Sequence, residues 1–273
     1  MTQGAEAVDR GELIAEGRTA RVYALGHDRV VKVLRPGFPD QLGEAEAVAA
    51  RTADEAGIGA PRFHGLARVD GRVALIYERR DGVSMMDHLT ARPWRAGRLG
   101  GTLGGLHAAM HGASAVSLPR FRSAVATAVR RAEPIAGAAA CGAAITRLDG
   151  LPDGSMLCHG DFHPGNVMLG AGAPTVIDWL TASSGPPAAD VARTLLLLRD
   201  GRLPDDMPRT RRVQISLLRR WFVAGYLRAY RRVRPLDLRE VARWRLPLLV
   251  ARLDEGIQAE QAHLLRLIDE EME

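Results

Sequence analysis

The sequence predicts an α+β chain in two parts: a small N-terminal sheet with one helix, then a larger, mostly helical part that carries a β-hairpin. Three observations carry this. Before about residue 80, short apolar and β-branched runs alternate with turn residues, with one proline-free, alanine- and glutamate-rich stretch among them. From residue 85 the spacing turns helical, with Leu99, Leu103, Leu106 and Met110 at three- and four-residue steps. Within that helical part, Val167-Met168-Leu169 and Thr175-Val176-Ile177 flank Gly170-Ala171-Gly172-Ala173-Pro174, the pattern of a hairpin.

Taken in order, 22–25 and 30–34 are strands around a Gly26-His27-Asp28 turn, and 41–56 is a helix stopped at Gly57. Residues 61–66, 69–74 and 75–78 supply further extended segments, the last ending in polar Glu78-Arg79-Arg80-Asp81-Gly82. Residues 121–150 read as one or two helices. Cys158 lies on a buried strand before the hairpin, and Ser183-Ser184-Gly185-Pro186-Pro187 is a loop. Asp190 opens a helix over 191–198, where a carboxylate satisfies free N–H groups. Two more helices follow, over 213–233 and 238–253.

Bulk properties narrow the class. At 273 residues the chain buries a sizeable core, as one large domain or two parts. No apolar run reaches the eighteen or so residues of a membrane span, and residues 1–10 lack a basic region followed by an apolar one. Two cysteines, Cys141 and Cys158, make no disulfide framework. A cytoplasmic protein with no membrane association is the expectation. The net charge of +5 raises nucleic acid as a partner, but the bases are dispersed arginines and aromatics are only 5%, so no stacking platform is present.

The chemistry is concentrated in Cys158-His159-Gly160-Asp161-Phe162-His163-Pro164-Gly165-Asn166, followed by Ile177-Asp178-Trp179. A loop leading into a hairpin is expected to bring Asp161, Asn166 and Asp178 close together. Phosphoryl transfer needs that set: one carboxylate for the acceptor's proton, and an amide with a second carboxylate for a metal on the phosphates. The alternation of His159, Asp161 and His163 offers a different reading, a hydrolase-type metal site, but it leaves Asn166 and Asp178 unused. Lys32 adds a further signal. It is the only lysine among 37 strong bases, as if its position required a compact ammonium rather than a planar guanidinium.

The segment His159-Gly160-Asp161-x-His163-Pro164-x-Asn166 with Ile177-Asp178-Trp179 resembles the aminoglycoside phosphotransferase family, a branch of the protein-kinase-like fold that phosphorylates small molecules. The resemblance runs over about residues 16–198. It implies a two-lobed fold, with 1–79 a nucleotide-binding sheet plus helix and 80–273 carrying the catalytic loop, metal site and acceptor pocket. It implies ATP or GTP with Mg²⁺, Asp161 as the catalytic base, and Asn166 and Asp178 as metal ligands. Lys32, in a Val-x-Val strand, takes the phosphate-anchoring place, paired with a glutamate of the 41–56 helix. Glu46 shares a face with Leu42 and Ala49 and is the better candidate; Glu44 is the alternative. Gly17 and Thr19 occupy the phosphate-covering loop, and the backbone near Glu78 and Arg80 receives the nucleotide base. His107 corresponds to a core histidine behind the catalytic loop, which Asp190 braces.

The implied activity is transfer of the γ-phosphate to a hydroxyl of a small molecule by a monomer or homodimer. Antibiotics, sugars, amino alcohols and nucleosides all suit such parts. Residues 199–252 hold fifteen arginines against five acids, whereas a polycationic aminoglycoside calls for an acidic lining. The rival readings are a pseudokinase that binds nucleotide without turnover and a protein kinase; against the latter, no Ala-Pro-Glu follows Asp178.

Overall fold

The computed structural model describes residues 8–201 and 206–273. Most of the stretch read for a leader (1–7), and Asp205 among the acids counted above, lie outside the described residues.

The chain runs β1 (Leu13–Glu16), β2 (Ala20–Leu25), β3 (Arg29–Leu34), α1 (Asp40–Glu55), β4 (Phe63–Val69), β5 (Arg72–Glu78) and β6 (Val83–Ser84). Helices α2 (Met85–Ala91), α3 (Ala96–Met110), α4 (Phe121–Arg131), α5 (Glu133–Ala136) and α6 (Ala138–Asp149) follow. Then come β7 (Met156–Cys158), β8 (Val167–Leu169), β9 (Thr175–Val176) and β10 (Ser183–Gly185). Helices α7 (Pro187–Arg199), α8 (Arg209–Val233), α9 (Leu238–Arg243), α10 (Arg245–Leu253) and α11 (Gln258–Met272) complete it. These elements form two compact units. One holds the chain up to Met85 together with Gly165–Ala182; the other holds Met86–Pro164 and Ser183–Glu273.

The first unit is built on a five-stranded antiparallel sheet of order β1-β2-β3-β5-β4. Alternation along the strands splits their side chains between two faces. Tyr23, Val31, Val33, Val69 and Ala74 form one cluster. Leu75 and Tyr77 form the other with Ala47 and Ala50 of α1. The buried alanines of α1 (Ala47, Ala49, Ala50, Ala53) keep its inner face flat against the sheet. The predicted hairpin is present: β8 pairs β9 with Val167 opposite Val176, and β8 also pairs β6.

In the second unit α3 and α8 pack so closely that three positions of the seam have no room for a side chain. A Cβ at Gly100 or Gly104 would sit 2.1 Å from the carbonyl oxygens of Phe222 and Tyr226, and one at Gly225 would sit 2.2 Å from Gly97 O. α10 carries an apolar face of Leu246, Leu248, Leu249, Val250 and Leu253 into the core. Trp244, fully buried just before it, meets Phe121 edge-on at 5.8 Å.

Residues 72–78 form one strand where a break at 74/75 was expected, and 121–149 hold three helices where one or two were expected; three further segments also differ. Ser183–Gly185, read as a loop, is a strand, because its backbone pairs with β7 in register Ser183 to Cys158. The 238–253 helix is broken at Trp244 into α9 and α10. The stretch beyond residue 253, to which no element was assigned, holds helix α11, with Glu271 bonded to Arg147 and Arg245 and Glu260 bonded to Arg252.

Candidate active site

The first unit gathers Lys32, Glu46 and Asp178. Lys32 lies mid-strand in β3, opposite Val22 on one side and Leu75 on the other, so its side chain rises from the rigid centre of the sheet. Its Nζ donates to Glu46 Oε1 at 2.6 Å and to Asp178 Oδ1 at 2.7 Å. Burial alone would lower the ammonium's pKa, but the two carboxylates outweigh it and the net shift is upward. Burial pushes the Glu46 carboxyl the other way from Lys32's attraction, and burial prevails. Tyr77 Oη also donates to Glu46 Oε1, at 3.1 Å. Of the two glutamates considered, Glu46 is 1% exposed and faces Lys32, while Glu44 is on the exposed side of α1.

Asp178 adopts φ 66° and ψ 70°, one of two non-glycine residues among those described with positive φ. Aspartate tolerates this left-handed region better than most side chains, yet the conformation still costs free energy and persists only where neighbours enforce it. Trp179 does so: it is 1% exposed and its indole Nε1 donates to Val176 O at 3.2 Å. The Asp178 side chain remains 39% exposed. Asn166 closes a 3-10 turn before β8 and is largely buried, and its carbonyl accepts from Ile177 N–H at 3.0 Å. That bond sets an amide and a carboxylate at adjacent ends of one hairpin. Hard oxygen donors of this kind suit Mg²⁺.

Gly17 and Thr19 lie in the β1–β2 turn. Gly17 N–H is bonded to Ala20 O (2.9 Å), and Thr19 O accepts from Arg35 N–H (2.8 Å), so both residues shape the turn. Glu78 ends β5 and Arg80 lies two residues beyond it; the two pair with each other, Arg80 Nη2 to Glu78 Oε2 at 2.9 Å. Glu78 N–H is occupied by Arg62 O at 2.9 Å, so any base contact near here uses other backbone groups.

Asp161 belongs to the second unit, in the loop after β7. Asp190, fully buried in the first turn of α7, accepts His159 N–H on Oδ2 (2.6 Å) and Gly160 N–H on Oδ1 (2.9 Å). The same Oδ2 faces Nε2 of His107 (3.0 Å) and of His111 (3.3 Å). Since an ionised carboxylate only accepts, each histidine donates from Nε2 and receives at Nδ1 the hydroxyl of Tyr226 (2.8 Å) or Tyr230 (2.6 Å). Burial, joined by the neighbouring His111, lowers the His107 pKa from 6.5 to about 4 against the pull of Asp190. Among the described residues, His107, His111 and Asp190 are the one set whose ligand atoms converge as a metal site's do. The carboxylate there is already filled by N–H donors, so this is a hydrogen-bond hub. The hydrolase alternative on His159, Asp161 and His163 finds no such convergence.

Asp161 Oδ2 lies 3.4 Å from His163 Nε2 and its Oδ1 lies 4.0 Å from Arg193 Nη2. Burial would raise its pKa, but the hydrogen bond and charge of His163, with Arg193 behind them, hold it well below the usual carboxylate range. Sequence reasoning missed Arg193. Its position three residues after Asp190, on the same helix face, was the available signal.

The sequence profile of the phosphotransferase enzyme family matches residues 10–236. No curated protein sequence matches the chain. Solved structures do. A thermostable mutant of aminoglycoside phosphotransferase APH(4)-Ia, in ternary complex with ADP and hygromycin B, is 15% identical with a TM-score of 0.63, over 94% of this chain and 91% of that one. The amicoumacin kinase hAmiN, with AMP-PNP, Ca²⁺ and Ami, is 14% identical with a TM-score of 0.64, over 98% and 90%. The macrolide 2'-phosphotransferase MphH from Brachybacterium faecium is 18% identical with a TM-score of 0.52, over 95% and 89%. At such identities these likenesses show the fold, a kinase-like α+β chain with a β-rich N-terminal part and a helical C-terminal part. With more than half its length matched by the family profile, the chain belongs to the phosphotransferase enzyme family and is a small-molecule phosphotransferase.

Proposed function

We propose that this protein transfers the γ-phosphate of ATP or GTP to a hydroxyl of a small molecule, with Mg²⁺ as the metal. The observation that carries the reading is the ammonium of Lys32 held between Glu46 and Asp178. A buried lysine with two carboxylate partners is pre-set to exchange one of them for nucleotide phosphate oxygens. Glu46, anchored by Tyr77, keeps the ammonium in place. The β1–β2 turn at Gly17 and Thr19 covers the phosphates, and the segment of Glu78 and Arg80 takes the base.

Asn166 and Asp178 are the residues that hold Mg²⁺, which when bound neutralises charge on the phosphate oxygens. Asp161 receives the proton of the acceptor hydroxyl. Because its pKa is held low, Asp161 is ionised throughout the neutral range and is a weak base. Its main work is then to orient the hydroxyl for a loose, late-deprotonating transfer, in which positioning supplies most of the rate. The acceptor is not a polycation in this reading. Near the loop, Glu255 and Glu260, which would attract one, are already bonded to Arg193 and Arg252.

The test is a thermal-shift titration with Mg·ATP and Mg·GTP on the wild type, Lys32→Ala and Asp178→Asn, followed by a screen of hydroxylated acceptors. A ligand that binds only the folded state raises the melting temperature. A metal-dependent shift in the wild type, absent from both variants, with phosphate found on an acceptor, is expected. A shift without turnover on any acceptor makes the protein a nucleotide-binding pseudokinase; no shift overturns the nucleotide site.

A further inference from the structure

We propose that Arg193 is a positioning residue of the transfer reaction, setting the carboxylate of Asp161 from behind, and that Glu255 and Arg252 in turn set Arg193. The proposal rests on Asp161 acting at the acceptor hydroxyl.

One face of α7 grips both backbone groups of a single residue, Gly160. Asp190 receives Gly160 N–H at 2.9 Å, and Arg193, one turn later, donates its Nε to Gly160 O at 3.1 Å. Gly160 has φ 77°, a region where the backbone of glycine is otherwise free to wander. Asp161 is the next residue. Fixing Gly160 at N–H and C=O removes the motion that would swing the Asp161 carboxylate, and small misplacements of a reacting group are costly in rate.

The guanidinium is engaged through two of its nitrogens. Beyond Nε on Gly160 O, Nη2 bonds Glu255 and lies 4.0 Å from Asp161 Oδ1, within ion-pair range but beyond a hydrogen bond. Glu255 is held in turn by Arg252 Nη1 at 2.9 Å, and Arg252 is fixed by Glu260 through Nε at 2.8 Å and Nη2 at 3.1 Å. The side chains of Arg193 and Arg252 are each 11% exposed, unlike the surface arginines of α8. A chain of alternating charges thus runs from α11 through α10 and α7 to the catalytic loop. The charged groups facing Asp161 are His163 and His159 on its own loop, Arg193 on α7 and Arg252 on α10. A lysine could not replace Arg193, since one ammonium cannot keep the planar spacing between Gly160 O and Glu255.

The experiment compares wild type, Arg193→Gln, Arg193→Lys and Glu255→Gln. Turnover is read as Mg·ATP consumption with the acceptor from the screen, or with water as a slow acceptor. Arg193→Gln is expected to lower kcat about a hundredfold, with the nucleotide KM and nucleotide thermal shift unchanged. Arg193→Lys should recover little, and Glu255→Gln should lose about tenfold. The second readout needs no turnover: in protein with ¹³C-labelled aspartate, the Asp161 carboxyl, assigned with Asp161→Asn, should titrate at higher pH in Arg193→Gln. Unchanged kcat, or an unmoved carboxyl titration, overturns the proposal. If the wild type neither turns over nor binds nucleotide, the functional reading fails by itself and the carboxyl titration still decides the role of Arg193. If Arg193→Gln does not fold, Arg193→Lys and Glu255→Gln carry both readouts.

Discussion

Lys32 was visible in the sequence because every other strong base is arginine; which glutamate it meets was not, since Glu44 and Glu46 are two residues apart and only burial separates them. The pair has an energetic consequence. Removing one member of a buried ion pair strands the other charge, at a cost of about 3 kcal/mol or more. Lys32→Ala should therefore destabilise the nucleotide-free protein by about that much in urea unfolding, while Lys32→Met combined with Glu46→Leu should recover most of it. An additive double variant would show that the ammonium and carboxylate do not depend on each other. At Asp161 the expectation is different. Asp161→Asn should cut turnover by about a hundredfold or more and leave the nucleotide thermal shift intact, because the side chain belongs to the second unit and not to the Lys32 cluster.

Among the elements, the α3–α8 seam makes the sharpest demand on composition. Gly104 has no room for a Cβ, whereas a Cβ at Gly105 would meet nothing within 4 Å. Gly104→Ala should cost about 3 kcal/mol or more through overpacking against Tyr226 O. Gly105→Ala, its neighbour on the same helix, should instead gain about 0.5–1 kcal/mol from helix propensity and a less flexible unfolded chain. Comparable denaturation midpoints for the two variants would refute the close approach. The elements also show where pattern reading stops. β10, a Ser-Ser-Gly segment, has no strand propensity of its own and is extended only because β7 supplies backbone partners. α11 carries acids whose partners, Arg147, Arg245 and Arg252, only the fold brings against them.

At the scale of the whole molecule, the hub of His107, His111, Asp190, Tyr226 and Tyr230 joins α3, α7, α8 and the loop after β7 in one buried network. It couples stability to pH. His107 takes a proton at about 4 in the folded state and at 6.5 when unfolded. Its contribution is therefore fully present above pH 6.5 and is lost as the pH falls from there to about 4. The full span corresponds to about 3 kcal/mol. Asp190, depressed well below its ordinary 3.8, adds a loss only below that pH, so within the hub the window between is governed by His107. Urea unfolding at pH 7, 5.5 and 4.5 should show a steeper loss in the wild type than in His107→Gln. Parallel losses would mean that His107 accepts its proton in the folded state.

The sequence by itself determined the two-part α+β arrangement and the hairpin, because each is local: strand alternation and helical spacing are written within a few residues. No helix among the described residues is long and apolar enough to cross a membrane, in line with the lack of a long apolar run in the sequence. The choice of Glu46, the strained backbone at Asp178, the packing at Gly104 and the chain from Glu260 to Arg193 were decided by tertiary structure. Each depends on residues far apart in the chain whose burial removes water as an alternative partner, and that removal is what turns an ordinary charge, glycine or serine into a specified one.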